Sequence, residues 1–447
     1  MITAEVAAVL AVMALPLALA FVPGRIAVFP NGPTPVAAFR TNAGGNGVVA
    51  TLAGAVAGNV GIGSFLAIFL FADESPVIAA SIVGAYSLGL VACALLAPRI
   101  RARSRAVGAV GLVDLLFGAA SGSAGSRSRM AIWLPVAFVF VLRSAVQVGA
   151  LGVIAADAFG LGINAAIVLS VVLLGGYLVV GGYRAAVATD VAQALILLAA
   201  IVLAAIGVSR MQPSETPFLE LGSHGPALLV GIWLLLPWSA VLAVDNWQRV
   251  TIARSDRVAV GSYLAAAVIC GAIFAVIALA GDRAPDGAAM RTSFIALMPE
   301  GFGWVVSAML VACIMSSVDT FVMPLAASLG PSVGLRRMRF VIVALLAATA
   351  VCAIALGDII ATVITAFNGL AVFLPAALGA LFGPPRPPLA APASMSAGLA
   401  TALLFMAIDP DAAALVGFIC ALAVYVAVVR RHAGRTIPTP NAAVQTS

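Results

Sequence analysis

Cys313, Ser316, Ser317, Asp319 and Thr320 lie close together in a stretch that is otherwise apolar. Two adjacent hydroxyls plus an acid one turn away are the hard oxygen donors that a sodium ion or a proton-coupled site needs, and a carboxylate at membrane depth marks a functional site by default. In the plainer reading the serines bond back to the preceding turn and Asp319 pairs with an arginine. A second stretch, 52–64, carries glycines at 54, 58, 61 and 63 around Asn59. Each glycine costs a helix about 1 kcal/mol relative to alanine, so the spacing predicts a broken helix whose freed carbonyls can hold a cation. The alternative is a close helix crossing through Gly54 and Gly58.

Three further groups of residues bear chemistry. Thr189 can cap a helix start, with Asp190 and Gln193 one turn apart on one face. Arg143 stands inside an apolar run with Gln147 one turn on. Burying its guanidinium costs roughly 2.5–3.5 kcal/mol, so it either pairs with Asp319 or Asp190 or faces a cavity and takes a solute carboxylate in two-pronged fashion. Trp233, Pro237, Trp238 and Ser239 predict a second break, because Pro237 removes a backbone donor. Trp238 stacks on a solute or is interfacial or core, and Asn368 either faces the cavity or makes a helix–helix hydrogen bond.

The elements that position these residues follow from composition. Of 447 residues 63% are hydrophobic and 9% charged, with a mean hydropathy of +1.17. A soluble domain carries about 25% charged residues, so soluble enzymes, nucleic-acid binders and secreted disulfide scaffolds are excluded. The five cysteines all fall in apolar runs, and His224 and His432 lie outside them and far apart, which leaves no disulfide framework, zinc site or histidine relay. A span needs about 20 mostly apolar residues. By that measure there are 13 spans, at roughly 2–22, 47–72, 76–97, 129–155, 163–181, 186–208, 226–244, 258–281, 301–325, 339–356, 358–380, 391–408 and 411–430. The first is read as a retained span in place of a signal peptide, because it opens with Glu5 and lacks a small-x-small cleavage site.

All 23 basic residues are arginine. With the N-terminus outside, 19 fall in inner loops and the tail, 3 outside (Arg210, Arg283, Arg291), and Arg143 lies within a span. Such an asymmetry sets orientation and supports the span count. The longest inner loop, about 98–128, reads as a Gly/Ser/Arg-rich connection, and the tail after Arg435 as disordered.

The stretch Gly181-Gly-Tyr-Arg-Ala-Ala-Val-Ala-Thr-Asp-Val-Ala-Gln193 resembles the signature of the sodium:solute symporter family, departing at Ala186, where valine is usual. Leu96-Ala-Pro-Arg-Ile-Arg101, Gln248-Arg249-Val-Thr-Ile-Ala-Arg254 and Ser316-Ser-Val-Asp-Thr320 are similar to further family segments in the same order, so the resemblance covers about 47–380. It implies an all-α membrane protein of 13 helices, with two inverted five-helix repeats whose first helices are broken around a midplane site. The divisions would be 1–46 (an extra helix and inner loop), 47–208 and 226–380 (the repeats), 391–430 (two C-terminal helices) and 431–447 (a cytoplasmic tail). Carried over by position, sodium would be held by the carbonyls of Ala57, Val60 and Cys313 and the hydroxyls of Ser316 and Ser317, with Val56 and Asn59 as the alternative register. Asn59, Arg143, Gln147, Trp238 and Asn368 would face the solute, and Asp190, Gln193 and Asp319 would have structural or gating roles.

The expected function is Na+-coupled symport of a small polar or anionic solute by alternating access, with Na+ as coupling ion, no organic cofactor and no enzymatic activity. The expected partners are the solute and the bilayer of the cell membrane, with no nucleic acid and no obligatory protein partner evident. Rival readings are a proton-coupled transporter using Asp319, an uncoupled one, or a membrane sensor of the same frame, although no kinase or receiver domain follows residue 435. An intramembrane enzyme is disfavoured by the absence of a His pair or a Gly-x-Ser-x-Gly motif.

Overall fold

The computed structural model describes residues 3–21, 35–41, 45–120, 126–212, 217–285, 287–330, 332–356, 369–384 and 386–433. In chain order its helices are α1 (Ala4–Phe21), α2 (Pro35–Arg40), α3 (Val48–Asn59), α4 (Ile62–Glu74), α5 (Pro76–Val107), α6 (Leu112–Gly118), α7 (Ser126–Phe159), α8 (Ile163–Val208) and α9 (Pro226–Leu242). There follow α10 (Val244–Ile252), α11 (Asp256–Asp282), α12 (Met290–Leu297), α13 (Trp304–Ala327), α14 (Leu335–Leu356), α15 (Leu374–Phe382), α16 (Ala390–Met406) and α17 (Ala413–Ala433). Among the described residues there is no strand, only two isolated backbone bridges. A hydrocarbon slab leaves no water for backbone groups, so an all-helical chain is the expected solution. The chain is a multi-pass membrane protein, and each expected span has a helical counterpart, the eleventh only from residue 369 onward.

Two spans are broken. α3 and α4 meet at 52° across Val60 and Gly61, and α9 and α10 at 50° across Ala243. The fifth and sixth spans are the two halves of α8, bent at Gly182 with φ +59°. A side chain there would strike Phe39, its Cβ landing 2.6 Å from the ring, so the turn needs glycine on both counts. α3, α4, α5, α9 and α11 pack into one body; α7, α8, α13 and α14 pack into another against it. α6 and α12 lie toward opposite ends of α13. α12 brings Arg291 to Glu5, which also accepts the Ser307 hydroxyl, whereas Asp114 of α6 pairs with Arg40 and Arg129, which donate to the carbonyls of Ala327 and Ser328.

Three expectations are corrected. The 98–128 segment is not a plain loop: α5 continues to Val107, and α6 then packs on α7. Four of its arginines sort by face. Arg101 and Arg105 turn to Asp256, while Arg99 and Arg103 donate to carbonyls at the end of α15. The second break falls at Ala243, with Pro237 inside α9, because side chains of α10 satisfy the carbonyls freed there: Asn246 donates to Ala240 at 2.7 Å and Trp247 to Val241. Third, 245–249 is not an inner loop but the buried α10, so Arg143 is not the only arginine inside a span; Arg249 is 4% exposed.

Candidate functional site

The break between α3 and α4 exposes backbone that the surroundings satisfy. The Ser64 hydroxyl accepts the Gly61 amide at 3.2 Å and donates to the Gly61 carbonyl at 2.8 Å, while Gln147 accepts the Ile62 amide at 3.0 Å. Gln147, expected to face the solute, therefore also holds the start of α4. The α3 side of the break meets α13. Ser316 Oγ lies 3.0 Å from both the Ala57 and Cys313 carbonyls, Ser317 Oγ 3.0 Å from the Cys313 carbonyl, and the Cys313 thiol donates to the Val60 carbonyl at 2.6 Å. The structure thus brings together all five expected donors. The back-bonding alternative is also present, since both serines reach the preceding turn. Gly61 is needed here: a Cβ would sit 2.7 Å from Ser317 Oγ and 2.8 Å from Gln147 Nε2. The set is neutral, and among the described residues no His/Cys/Asp/Glu group suits a transition metal.

Beside it lies a small cavity lined by Asn59, Ser64, Tyr86, Arg143, Gln147 and Phe321, among others. Asn59 and Asn246, one at each helix break, exchange amide hydrogen bonds of 3.0 and 3.1 Å; Tyr86 donates to Asn59 at 3.0 Å and Tyr263 to Asn246 at 2.9 Å. The Arg143 guanidinium sits 4.9 Å from the Phe321 ring centroid and 5.5 Å from that of Phe140, distances that favour a cation over an aromatic face. Trp238 is half-buried and lines neither this cavity nor the wider one above it. Asn368 lies outside the described residues.

On the other side of the break lies a buried ion cluster. Arg249 binds Asp190 at 2.9 Å and Asp245 at 2.5 Å. The pairing of Arg143 with Asp190 is thereby corrected: that carboxylate faces Arg249. Asp319 pairs with no arginine among the described residues; Tyr177 donates to it at 2.9 Å and Thr189 approaches at 3.5 Å. Thr189 caps no helix start, for it lies mid-helix and bonds Ala186. The glycine crossing is corrected too. A Cβ on Gly54 or Gly58 would land 2.5 or 2.4 Å from the Arg249 guanidinium, so these glycines make room for a charge. Gln193 is buried, and its amide has no hydrogen-bond partner among the described residues.

Two family-like segments meet here: Arg101 donates to the carbonyls of Val250, Thr251 and Ala253, capping the end of α10. Asp245, Asn246, Tyr86 and Tyr177 were not anticipated. The available signal was Asp245 four residues before Arg249, the spacing of a helical ion pair.

No family profile matches the chain, and no curated protein sequence does. Solved structures do. Over 96% of this chain and 98% of the other, it is similar to a Na+-coupled sialic acid symporter in a substrate-bound outward-open state with a novel Na+ site, at TM-score 0.73 and 16% identity. It is similar to inward-facing Mhp1 over 92% of this chain and 95% of that one, at TM-score 0.55 and 16% identity. A manganese transporter of Eremococcus coleocola, in complex with an aromatic bis-isothiourea substituted compound, gives TM-score 0.56 and 13% identity over 88% and 89% of the two chains. The shared feature is the fold, an all-α membrane transporter architecture.

Proposed function

We propose that the chain is a Na+-coupled symporter that carries a small polar or anionic solute by alternating access. The observation that carries this reading is the meeting of the Ala57, Val60 and Cys313 carbonyls with the Ser316 and Ser317 hydroxyls at a break in the membrane. Neutral oxygens at such a break suit a monovalent hard cation and give a proton nothing to titrate. The sialic acid symporter and Mhp1, a nucleobase-cation-symport-1 family transporter, support the same reading by their shared fold. The repeats are assigned to 47–208 and 226–380, flanked by 1–46, 391–430 and 431–447. The arginine asymmetry supports an arrangement in the cell membrane with the N-terminus outside and the C-terminus in the cytoplasm.

The solute site is assigned to Asn59, Arg143 and Gln147, next to the ion, where Arg143 takes a carboxylate. The Asp190–Arg249–Asp245 cluster, with Asp319 and Gln193 beside it, forms the inner closure. Replacing Ser316 and Ser317 together by alanine tests the ion site: apparent Na+ affinity in uptake is expected to fall by tenfold or more, with unchanged amounts of folded protein. Undiminished Na+ activation in the double variant contradicts the assignment.

A further inference from the structure

A second cavity, wider than the solute cavity, runs from His224, Pro410 and Asp411 near the surface down between α4, α5 and α9 to Ser64 and Tyr86, which line both. It is the approach to that site, and His224 stands at its mouth. The imidazole Nε2 is 3.5 Å from Glu74 Oε2 and Nδ1 is 3.5 Å from Asp411 Oδ2, with the ring edge-on to Phe71 at 5.0 Å between centroids. These carboxylates belong to different bodies. Glu74 ends α4; Asp411 leads into α17, outside the two repeats. The segment bearing His224 is already fastened to α4 by bonds that do not involve the imidazole: the Ser223 amide and hydroxyl both donate to Glu74, and the Ser75 hydroxyl donates to the Glu220 carbonyl at 2.6 Å. Gly222, at φ +60°, lies so close to Glu74 that a Cβ would be 2.7 Å from its Cγ. The link to Asp411 has the Gly225 amide at 3.4 Å and His224 itself.

A neutral imidazole has one N–H and one lone pair, so it donates to one carboxylate and turns its lone pair to the other; the imidazolium donates to both. We propose that His224 is a proton site governing this mouth: its protonation ties the outer ends of α4 and α9 to the entry of α17, holds the vestibule in the open pose, and so slows the cycle of conformations in acid. The surrounding charges are few. Asp73 and Glu220 belong to the same segments, Asp409 accepts the amides of Asp411 and Ala412, and α9 contains no ionisable residue. Ser223 hydrogen bonds hold the Glu74 carboxyl below the usual range, so Glu74 keeps its charge at mildly acid pH. Histidine is the side chain whose charge changes across the neutral range.

The test is labelling of Leu228→Cys, on the vestibule wall, by a membrane-impermeant thiol reagent in reconstituted protein, with and without His224→Gln. Because thiol reactivity itself depends on pH, the quantity read is the rate with His224 present divided by the rate with His224→Gln at each pH. From pH 7.5 to 5.5 this ratio is expected to rise by about three- to fivefold, the size of one partly exposed ion pair. Asp411→Asn is expected to behave as His224→Gln. A ratio that stays flat, or a pH response surviving both substitutions, overturns the proposal. The slowing of uptake in acid rests on the transport reading, but the labelling does not: labelling that responds in a protein that moves no solute keeps the proton site and refutes symport alone.

Discussion

Around the α3 break, the hydroxyl protons of Ser316 and Ser317 and the thiol proton of Cys313 point at carbonyls proposed as ion ligands. An entering cation has to turn them away, at about 1 kcal/mol for each hydrogen bond given up, and offers the carbonyls a full charge in exchange. Arg143 belongs to this scale as well. It lines the cavity proposed for the solute, and Asp190 is engaged by Arg249, so it is proposed as the contact for a solute carboxylate. Arg143→Gln is expected to raise the KM for carboxylate solutes by about 10- to 100-fold, the value of a charged hydrogen bond, with normal amounts of folded protein. Asp190→Asn and Asp319→Asn are expected to give no rescue. Initial-rate uptake of the single and double variants checks this, and rescue by either acid substitution removes the anionic solute.

Among the elements, the broken helix α3–α4 was legible because four glycines in ten residues at membrane depth leave few other solutions. Its partner α9–α10 was misplaced. Proline is a visible breaker, yet Pro237 sits within α9, and the polar run 245–249 reads as a loop because its second ion partner, Asp190, and the carbonyls its side chains satisfy become visible only in the fold. α6 escaped notice since seven residues show no periodicity. The role of Gly54 and Gly58 was equally hidden: spacing shows that something comes close, not that it is a guanidinium. Gly58→Ala puts a methyl group against Arg249 Nη1 and Asp245 Oδ2. Overpacking of this kind costs about 1–3 kcal/mol, so the variant is expected to unfold at lower temperature in detergent and to lose uptake, while Gly231→Ala, with open space around it, is expected to keep both. Equal melting temperatures for the two variants contradict the packing of Arg249 on α3.

At the scale of the whole molecule, the arginine count survives the corrections. Moving Arg249 from a loop to the interior leaves 18 inner arginines, 19 less one, against 3 outer. The N-out assignment expects cysteines at Ser209 and Ser255 to react with an impermeant thiol reagent from opposite faces, Ser209 from outside. Labelling of both from one face contradicts the 13-span arrangement. Symport requires that sodium drive the solute. The direct measurement is uptake of labelled carboxylate solutes, each assayed singly, into vesicles reconstituted with the purified chain, under an inward Na+ gradient and under a K+ gradient of equal ionic strength. Accumulation above equilibrium with Na+ alone, abolished when the gradient is collapsed, is the expected result. Uptake that only equilibrates, or proceeds equally with K+, contradicts it.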